Sequence, residues 1–167
     1  RINWTPTFYS ITDELVLKDK ISIVAELSKK VKISFFPAIH YRGHIFYKKL
    51  ISVKNIFWIF HQFGRGFSTN LPNTFQGGSV IYEAFQILHH MGFSEIYLLG
   101  VDMNYKVHDN VNYFNNKNSI EIQSRFNNDP NHFDPRYFGK GKKFHQPKAF
   151  VVKNIINSLN YIKEISE

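Results

Sequence analysis

The stretch NTFQGGSVIYEAFQILHHMGFSEIYLLGVDMNY, residues 73–105, decides the fold class of this chain. Ser79, directly after Gly77 and Gly78, is a residue type that caps helix N-termini. The apolar residues that follow it recur at the spacing of one helix face, at Val80, Ala84, Ile87, Leu88 and Met91. Gly92 is a residue type that ends helices. The pattern therefore predicts an amphipathic helix that begins after Ser79 and ends at Gly92.

Four consecutive apolar residues, at 96–99, follow this helix and predict a strand buried on both faces of a parallel sheet. In such sheets ligands bind at the carboxyl ends of strands and at the N-termini of following helices, where free N–H groups attract anions. We therefore predict that residues 77–79 and 100–102 form two walls of one crevice. The predicted nucleotide- or phosphate-binding residues are Gly77, Gly78, Ser79 and Asp102. In the alternative interpretation the glycines only form a turn and Asp102 is an ordinary loop residue.

Strand and helix patterns alternate in the rest of the N-terminal half. Strands are predicted at residues 7–12, 31–36, 45–47 and 57–60, and helical spacing is present at residues 21–27. A turn-rich loop is predicted at residues 63–68. The alternation indicates an α/β fold with a Rossmann-like, mostly parallel sheet flanked by helices.

The periodicity weakens after Asp102. Residues 104–145 are rich in Asn, Tyr, His and Gly, and such long loops in compact domains are usually functional lids or disordered. Their aromatic content favours a long irregular lid before the C-terminal helix. That helix is predicted to start at Pro147, with Val151, Ile155, Leu159 and Ile162 on its apolar face.

Composition restricts the class of protein. The length of 167 residues suits a single domain, taken as 1–167, and the absence of cysteine fits a cytoplasmic protein. No apolar run approaches the roughly 20 residues of a membrane span. The chain begins with Arg1, and its first residues lack the apolar segment of a secretory signal. We therefore interpret it as a piece of a longer protein.

The chain is basic, with a net charge of +8 and a pI near 9.6. Such a charge is compatible with nucleic acid, an anionic lipid surface or a phosphorylated small substrate. The basic residues are scattered apart from Lys140, Lys142 and Lys143, and most aromatic residues lie in apolar runs. Nucleic acid is therefore not the expected partner, whereas peripheral association with a membrane stays open.

Three blocks of the sequence resemble a known family. TPTFYSITDELVLKD, FSTNLPNTFQGGSVIYEAFQILHHMGFSEIYLLGVDMNY and DPNHFDPRYFGKGKKFHQP together resemble the bacterial and archaeal 6-hydroxymethylpterin pyrophosphokinase MptE-like family, often found in polysaccharide gene clusters. That family usually begins with a strand and a Gly-Asn-Gly-Pro-Ser-Leu turn that approaches the nucleotide phosphates. Nothing in this chain matches the turn, so the resemblance implies that the first βα unit is missing. Whether the fragment is active without it stays open.

A more distant similarity is to the bacterial CMP-sialic acid sialyltransferases. Four features follow one another along the chain in the same order as in those enzymes: a Gly-Gly-Ser helix start, the block EIYLLGVD, a Tyr-bearing lid and a His before the final helix. The resemblance implies that Tyr105 and Tyr113 stabilise the leaving nucleotide phosphate without a metal. It also implies that His145 is the base that deprotonates the acceptor hydroxyl.

Two further residues, His132 and Asn104, are the predicted substrate-binding residues. His132 is the rival of His145, as a substrate ligand or as a residue that supports one. His89 and His90 end a helix, where cations are favoured, and are interpreted as structural. His40, His44 and His61 have no candidate functional residues around them and are left without a role.

Both resemblances imply a transferase that uses a phosphate-activated donor. The first hypothesis is a nucleotide-sugar-dependent, sialyltransferase-like glycosyltransferase of surface polysaccharide or lipopolysaccharide synthesis, with a saccharide or small-molecule acceptor and no cofactor. The alternative is an MptE-like pyrophosphokinase that uses ATP and Mg²⁺, the metal held by Asp102 with Asp109 or Asp134 brought in by the lid. A third hypothesis is a binding module without catalysis, which the missing glycine turn favours.

Overall fold

The computed structural model describes residues 3–38, 50, 52–62, 64–106, 108–109, 111–115 and 119–166. The elements in chain order are β1 (Phe8–Ser10), α1 (Glu14–Lys30), β2 (Ile33–Pro37), β3 (Ile56–Gln62), β4 (Asn73–Phe75), α2 (Val80–His90), β5 (Val111–Asn115), β6 (Ser119–Ser124), β7 (Lys143–Pro147) and α3 (Ala149–Ser166). Helices and strands are mixed along the chain, so the predicted α/β class is confirmed. The strand predicted at residues 45–47 lies outside the described residues.

The first four strands form a parallel sheet in the order β1-β2-β3-β4. Phe35 and Phe36 are consecutive in β2, and consecutive strand residues face opposite sides of a sheet. Phe36 belongs to the core on the α1 side, and Phe35 packs with Ile59 and Ile87 on the α2 side. The sheet is therefore covered by a helix on each face, as the Rossmann-like prediction requires.

Helix α2 begins and ends where the sequence predicts. The Ser79 hydroxyl oxygen accepts a hydrogen bond from the Ile81 N–H at 3.2 Å, which is the N-cap interaction. At the other end, Gly92 has a φ of +82°, and the Phe93 N–H donates to the Leu88 carbonyl at 3.1 Å. Both caps are local in sequence, and both predictions are confirmed.

The strand predicted at residues 96–99 is wrong for the described structure. These residues form no strand, and Tyr97 and Leu99 expose 88% and 98% of their surface. A strand that is apolar on both faces needs neighbours on both edges, but the backbone of 96–99 makes no hydrogen bond to another described residue. We call residues 93–106 the exposed segment.

Replacing Leu99 with lysine should leave the free energy of unfolding of this chain within about 0.5 kcal/mol of the parent, because the side chain is exposed. The matched control is Ile59→Ala in the buried sheet core, which should cost about 2–5 kcal/mol. Urea denaturation of both variants measures the difference. A loss of several kcal/mol for Leu99→Lys would restore the buried strand of the sequence prediction.

The predicted irregular lid is instead partly a second sheet. β5, β6 and β7 form an antiparallel sheet in that order, with Val111, Ile122 and Phe144 in its own small core. β7 packs against α1, and this contact attaches the antiparallel sheet to the parallel sheet and its helices. Among the described residues of the predicted lid, 104–106, 108–109 and the segment between β6 and β7 are irregular, as predicted.

The C-terminal helix is confirmed, but its predicted start is wrong. Pro147 is the last residue of β7, and α3 begins at Ala149. The Lys148 carbonyl accepts from the N–H groups of Val151 and Val152 at 2.8 and 3.1 Å. Pro147 ends β7 because residues 143–147 pair with β6. No helix among the described residues is long and apolar enough to span a membrane.

Candidate functional site

The candidate site lies along the edge of the parallel sheet where the four strands end. Asp13 follows β1 at one end of this edge, and the loops after β3 and β4 form the other end. The two ends are three strand spacings apart, about 14 Å. We call them the β1 end and the β4 end.

The β4 end holds a cleft of about 500 Å³ between two loops and α3. Arg65 supplies a cation to its wall, and Tyr82 and Tyr161 supply aromatic rings. The amide side chains of Asn157 and Asn160 add hydrogen-bonding groups. Glu164 also lines the cleft, so an anionic group would bind on the side of Arg65. Together these groups suit a ligand that has a planar ring, polar edges and an anionic group.

The two glycines of the predicted crevice are placed at this end, and both have a packing role. Gly77 lines the cleft with a φ of +54°, and a Cβ added there would lie 2.3 Å from the Tyr82 ring. Gly78 has a φ of +78° and faces the Ile155 side chain of α3. The structural interpretation of the glycines thus has direct support, while their phosphate-binding role stays a prediction.

The second predicted wall does not reach this cleft. Asp102 is exposed in the exposed segment and is not among the residues that line the cleft. Its carboxylate accepts the N–H of Asn104 at 3.1 Å, which closes a local turn. Met103, inside this turn, has a φ of +53°. Neither Asp102 nor Asn104 is brought together with residues 77–79 in the described structure.

The two predicted catalytic tyrosines are separated from the cleft in the same way. Tyr105 is in the exposed segment, where partial burial and then the charge of Asp102 raise the pKa of its phenol. Tyr113 lies in β5, and its hydroxyl donates to the His108 carbonyl at 3.0 Å. Its hydroxyl therefore supports the second sheet, and a role toward the leaving group stays a prediction.

A buried carboxylate, Asp129, organises the loop between β6 and β7. Its side chain is fully buried, and one oxygen, Oδ2, accepts from His132 Nδ1 at 2.7 Å and from the Phe138 N–H at 3.1 Å. The other oxygen, Oδ1, accepts from the Asn131 N–H at 2.9 Å. His108 Nε2 lies 3.6 Å from the same oxygen. Asp129 therefore binds two backbone donors and one imidazole in a site without water access.

Aromatic rings hold the His132 ring in place. It stacks on Tyr137 at 4.3 Å with an interplanar angle of 18°, and Phe138 contacts it edge-on at 4.8 Å. Phe138 in turn stacks on Phe144 of β7. The side chain of His132 nevertheless remains 36% exposed, so one part of the ring faces solvent.

His108 is the buried member of this cluster. Burial lowers the pKa of its imidazole, and the charge of Asp129 only partly opposes that effect. The Asn131 side-chain amide lies 3.0 Å from His108 Nε2 and also binds the backbone of Lys106. Asn131 thus ties the end of the exposed segment to the loop of Asp129.

The β1 end brings this loop close to His145. His145 lies in β7, opposite Glu121 of β6, and its Nδ1 is 3.7 Å from a carboxylate oxygen of Asp13. Burial, and then the charges of Asp13 and Asp129, raise the pKa of Tyr137. His132 and His145 are therefore both near the β1 end. His145 is the third residue of β7, and α3 begins four residues later, at Ala149.

Two lysines fix the position of Tyr137 at this end. Lys20 and Lys142 both donate to its carbonyl, at 3.2 and 3.4 Å, and Asp19 binds both ammonium groups. Burial, with a contribution from Tyr137, raises the pKa of Tyr9 to about 12. The phenols of this end are thus neutral hydrogen-bonding groups at physiological pH.

A second His–carboxylate pair, His61 and Glu83, was missed from the sequence. His61 Nε2 bonds Glu83 Oε2 beneath the first turns of α2, and the Thr74 hydroxyl lies 3.4 Å from the same oxygen. Glu83 is fully buried, and its Oε1 has no partner among the described residues. The signal available in sequence was only that a Glu occupies the core-facing side of an amphipathic helix. No three His, Asp or Glu side chains of the described ranges are grouped to hold a metal ion.

Comparison with family models, with curated proteins and with solved structures gives no match for this chain. Its function is therefore inferred from the geometry of the site.

Proposed function

We propose that this chain is the main body of a transferase that uses a phosphate-activated donor, in the first place a nucleotide-sugar-dependent glycosyltransferase of surface polysaccharide synthesis. The observation that carries the proposal is that one edge of a parallel sheet has an arginine-containing cleft at one end and two histidines with carboxylate partners at the other. Ligands of open α/β sheets bind at this edge. The separation of about 14 Å leaves room for a donor between the two ends.

In this proposal the donor nucleotide occupies the cleft at the β4 end. Arg65 pairs with its phosphate, since a guanidinium binds phosphate oxygens through two N–H groups. Tyr161 provides a ring face for the base, and the asparagines of α3 provide donors and acceptors for its edge. The proposal needs no metal, because the cation and the start of α2 offer positive charge to the phosphate.

The transfer step uses a histidine at the β1 end. The imidazole removes the proton of the acceptor hydroxyl as that oxygen bonds to the anomeric carbon. The bond from this carbon to the phosphate oxygen breaks, and the leaving nucleotide takes its electron pair. Arg65 stabilises the negative charge that develops on the phosphate.

The proposal also includes a further strand, from outside the described residues, between β1 and residues 96–99. Among the described strands β1 pairs only with β2, and an apolar groove of about 220 Å³ lies between its Phe8 and Met91. Such a strand would cover the exposed run 96–99. It would also carry residues 100–102 to the carboxyl edge of the sheet, where ligands of open α/β sheets bind.

The proposal is tested by the melting temperature of the full-length protein with CMP, UDP, GDP, their sugar conjugates, and ATP with and without Mg²⁺. A nucleotide at 100 times its Kd should stabilise the fold by about 2.7 kcal/mol, which raises Tm by roughly 5–10 °C. Arg65→Ala should abolish most of this shift. Arg136→Ala is the control, because Arg136 pairs with Asp134 outside the cleft and should keep the full shift.

Each outcome of this experiment favours one hypothesis. A shift with a nucleotide sugar in the absence of metal supports the glycosyltransferase. A shift with ATP that requires Mg²⁺ supports the pyrophosphokinase instead. If no nucleotide changes Tm, the transferase proposal fails in favour of a binding module.

A further inference from the structure

We infer that Asp129 and His132 form the proton-accepting dyad of this site, with His132 Nε2 as the base and Asp129 as its positioning residue. The inference rests on the proposed function for the identity of the proton donor, which is the acceptor hydroxyl. The state of the dyad itself is set by contacts within this chain and does not depend on the donor.

The hydrogen bonds of Asp129 fix which nitrogen of His132 carries the proton. A carboxylate only accepts, so the 2.7 Å contact requires a proton on His132 Nδ1. In the neutral imidazole the other nitrogen, Nε2, then has a free lone pair. The two backbone donors on Asp129, from Asn131 and Phe138, hold the carboxylate so that it cannot follow another orientation of the ring.

The aromatic contacts fix the plane of the ring. Tyr137 covers one face of His132, and Phe138 meets the ring edge-on. Tyr137 is itself held by Lys20 and Lys142 against α1. A base that is fixed in position and orientation before the substrate binds is the arrangement that general base catalysis requires.

His132 suits this role better than His145 because the two carboxylate contacts differ. Asp129 is fully buried and bonds Nδ1 at 2.7 Å, whereas Asp13 is partly exposed and lies 3.7 Å from His145 Nδ1. Asp13 also uses a carboxylate oxygen to cap α1, by accepting the Val16 N–H at 2.9 Å. The tautomer of His145 is therefore not fixed in the same way.

If the pair were purely structural, the same bonds would serve only to close the loop between β6 and β7. The solvent-facing part of the His132 ring distinguishes a catalytic role from this structural role. Loop closure needs the backbone donors to Asp129, which remain in a His132 variant. Loop closure alone does not explain why the buried Asp129 carboxylate orients the His132 ring, whose side chain is about one third exposed.

The first test uses the wild-type protein and needs no substrate. The ¹⁵N chemical shifts of the His132 ring should show Nδ1 protonated and Nε2 unprotonated in its neutral form. Diethyl pyrocarbonate, which acylates unprotonated imidazole nitrogen, should label His132 faster than the exposed His89 within the same chain. A proton on Nε2, or labelling no faster than at His89, overturns the inference.

The second test adds variants and turnover. Asp129→Asn should remove the preference for the Nδ1 proton and bring labelling of His132 down to that of His89. His132→Gln should lower nucleotide release from the donor, with water as acceptor, by ~10² to 10⁴, while the Kd of the donor stays within about threefold. His90→Gln is the control and should keep the parent turnover.

The outcomes separate this inference from the proposed function. If His132→Gln turns over the donor at the parent rate, the base assignment is wrong even when the tautomer is as expected. If the wild-type protein binds no nucleotide, the proposed function fails, and the ¹⁵N shifts and labelling still decide whether His132 Nε2 is the free base. If Asp129→Asn does not fold, the wild-type shifts decide the same point.

Discussion

Replacing His61 with alanine is expected to lower the free energy of unfolding by about 3–5 kcal/mol, the cost of removing one partner of a hydrogen-bonded pair whose glutamate is fully buried. Glu83 is fully buried in α2, and its Oε2 receives its bond from His61. The remaining neighbour, the Thr74 hydroxyl, is 3.4 Å away, and Oε1 has no partner among the described residues. Without His61 the carboxylate would stay in the core almost unsatisfied.

The double variant His61→Leu with Glu83→Leu should have a free energy of unfolding equal to or above that of the parent, in contrast to His61→Ala. Two apolar side chains of similar size remove both buried polar groups and extend the cluster of Phe35, Ile59 and Ile87. Replacement of a buried pair by hydrophobic residues is often neutral or stabilising by about 1–4 kcal/mol. Urea denaturation of the single and double variants measures the contrast.

The single variant is the decisive one. A cost below about 1 kcal/mol for His61→Ala would mean that the pair contributes no more than an exposed contact. A double variant that is less stable than His61→Ala would show instead that the pair is worth more than the apolar contacts that replace it. Coincident unfolding transitions from circular dichroism and fluorescence on the same variants check that the unfolding remains cooperative.

Local signals in the sequence predicted the helices well. The cap at Ser79 and the end at Gly92 depend on bonds to residues two to five positions away, and both are where the sequence places them. Three of the four strands of the parallel sheet, β1, β2 and β3, were found for the same reason, since their apolar runs are bounded by turn residues, whereas β4 was not predicted. The start of α3 was misplaced, because Pro147 suits both the first position of a helix and the end of a strand. Helix α1 begins at Glu14, seven residues before the helical spacing predicted at 21–27.

Signals that depend on distant partners were not predictable. Residues 96–99 have the composition of a buried strand, but a strand forms only where another strand offers its edge, and sequence does not show which edges are open. The second sheet is the opposite case, because strands formed where the sequence analysis predicted an irregular lid. Residues 119–124, SIEIQS, alternate between polar and apolar, which is a strand signal, but they lie in a segment whose overall composition indicates a loop.

In the candidate site, too, contacts between residues close in the sequence were easier to predict than contacts between distant residues. Asp129 and His132 are three residues apart in DPNHF, so their pairing could be proposed from sequence. His61 and Glu83 are 22 residues apart, and their pairing depends on how α2 crosses β3. The role of the glycines depends on packing as well, since Gly77 faces a tyrosine ring that lies five positions later in the chain.

The Tyr82 ring is the reason for the second large predicted effect, which is the loss of stability when Gly77 in the wall of the cleft is replaced. Gly77→Ala should destabilise the fold by about 2–5 kcal/mol, the sum of about 1–2 kcal/mol for a side chain at positive φ and about 1–3 kcal/mol for overpacking. The added Cβ would lie 2.3 Å from two carbons of the Tyr82 ring. The ring cannot move away easily, because its hydroxyl donates to the Gly66 carbonyl at 2.7 Å.

Gly64→Ala is the matched control for this prediction. Gly64 also has a positive φ, of +97°, and lines the same cleft, but a Cβ there would meet nothing within 4 Å. Its cost should therefore be limited to the backbone strain of about 1–2 kcal/mol. Urea denaturation of the two variants isolates the contact with Tyr82. Equal costs would show that Tyr82 gives way to the added carbon, and the glycine at position 77 would then be required by its backbone angle alone.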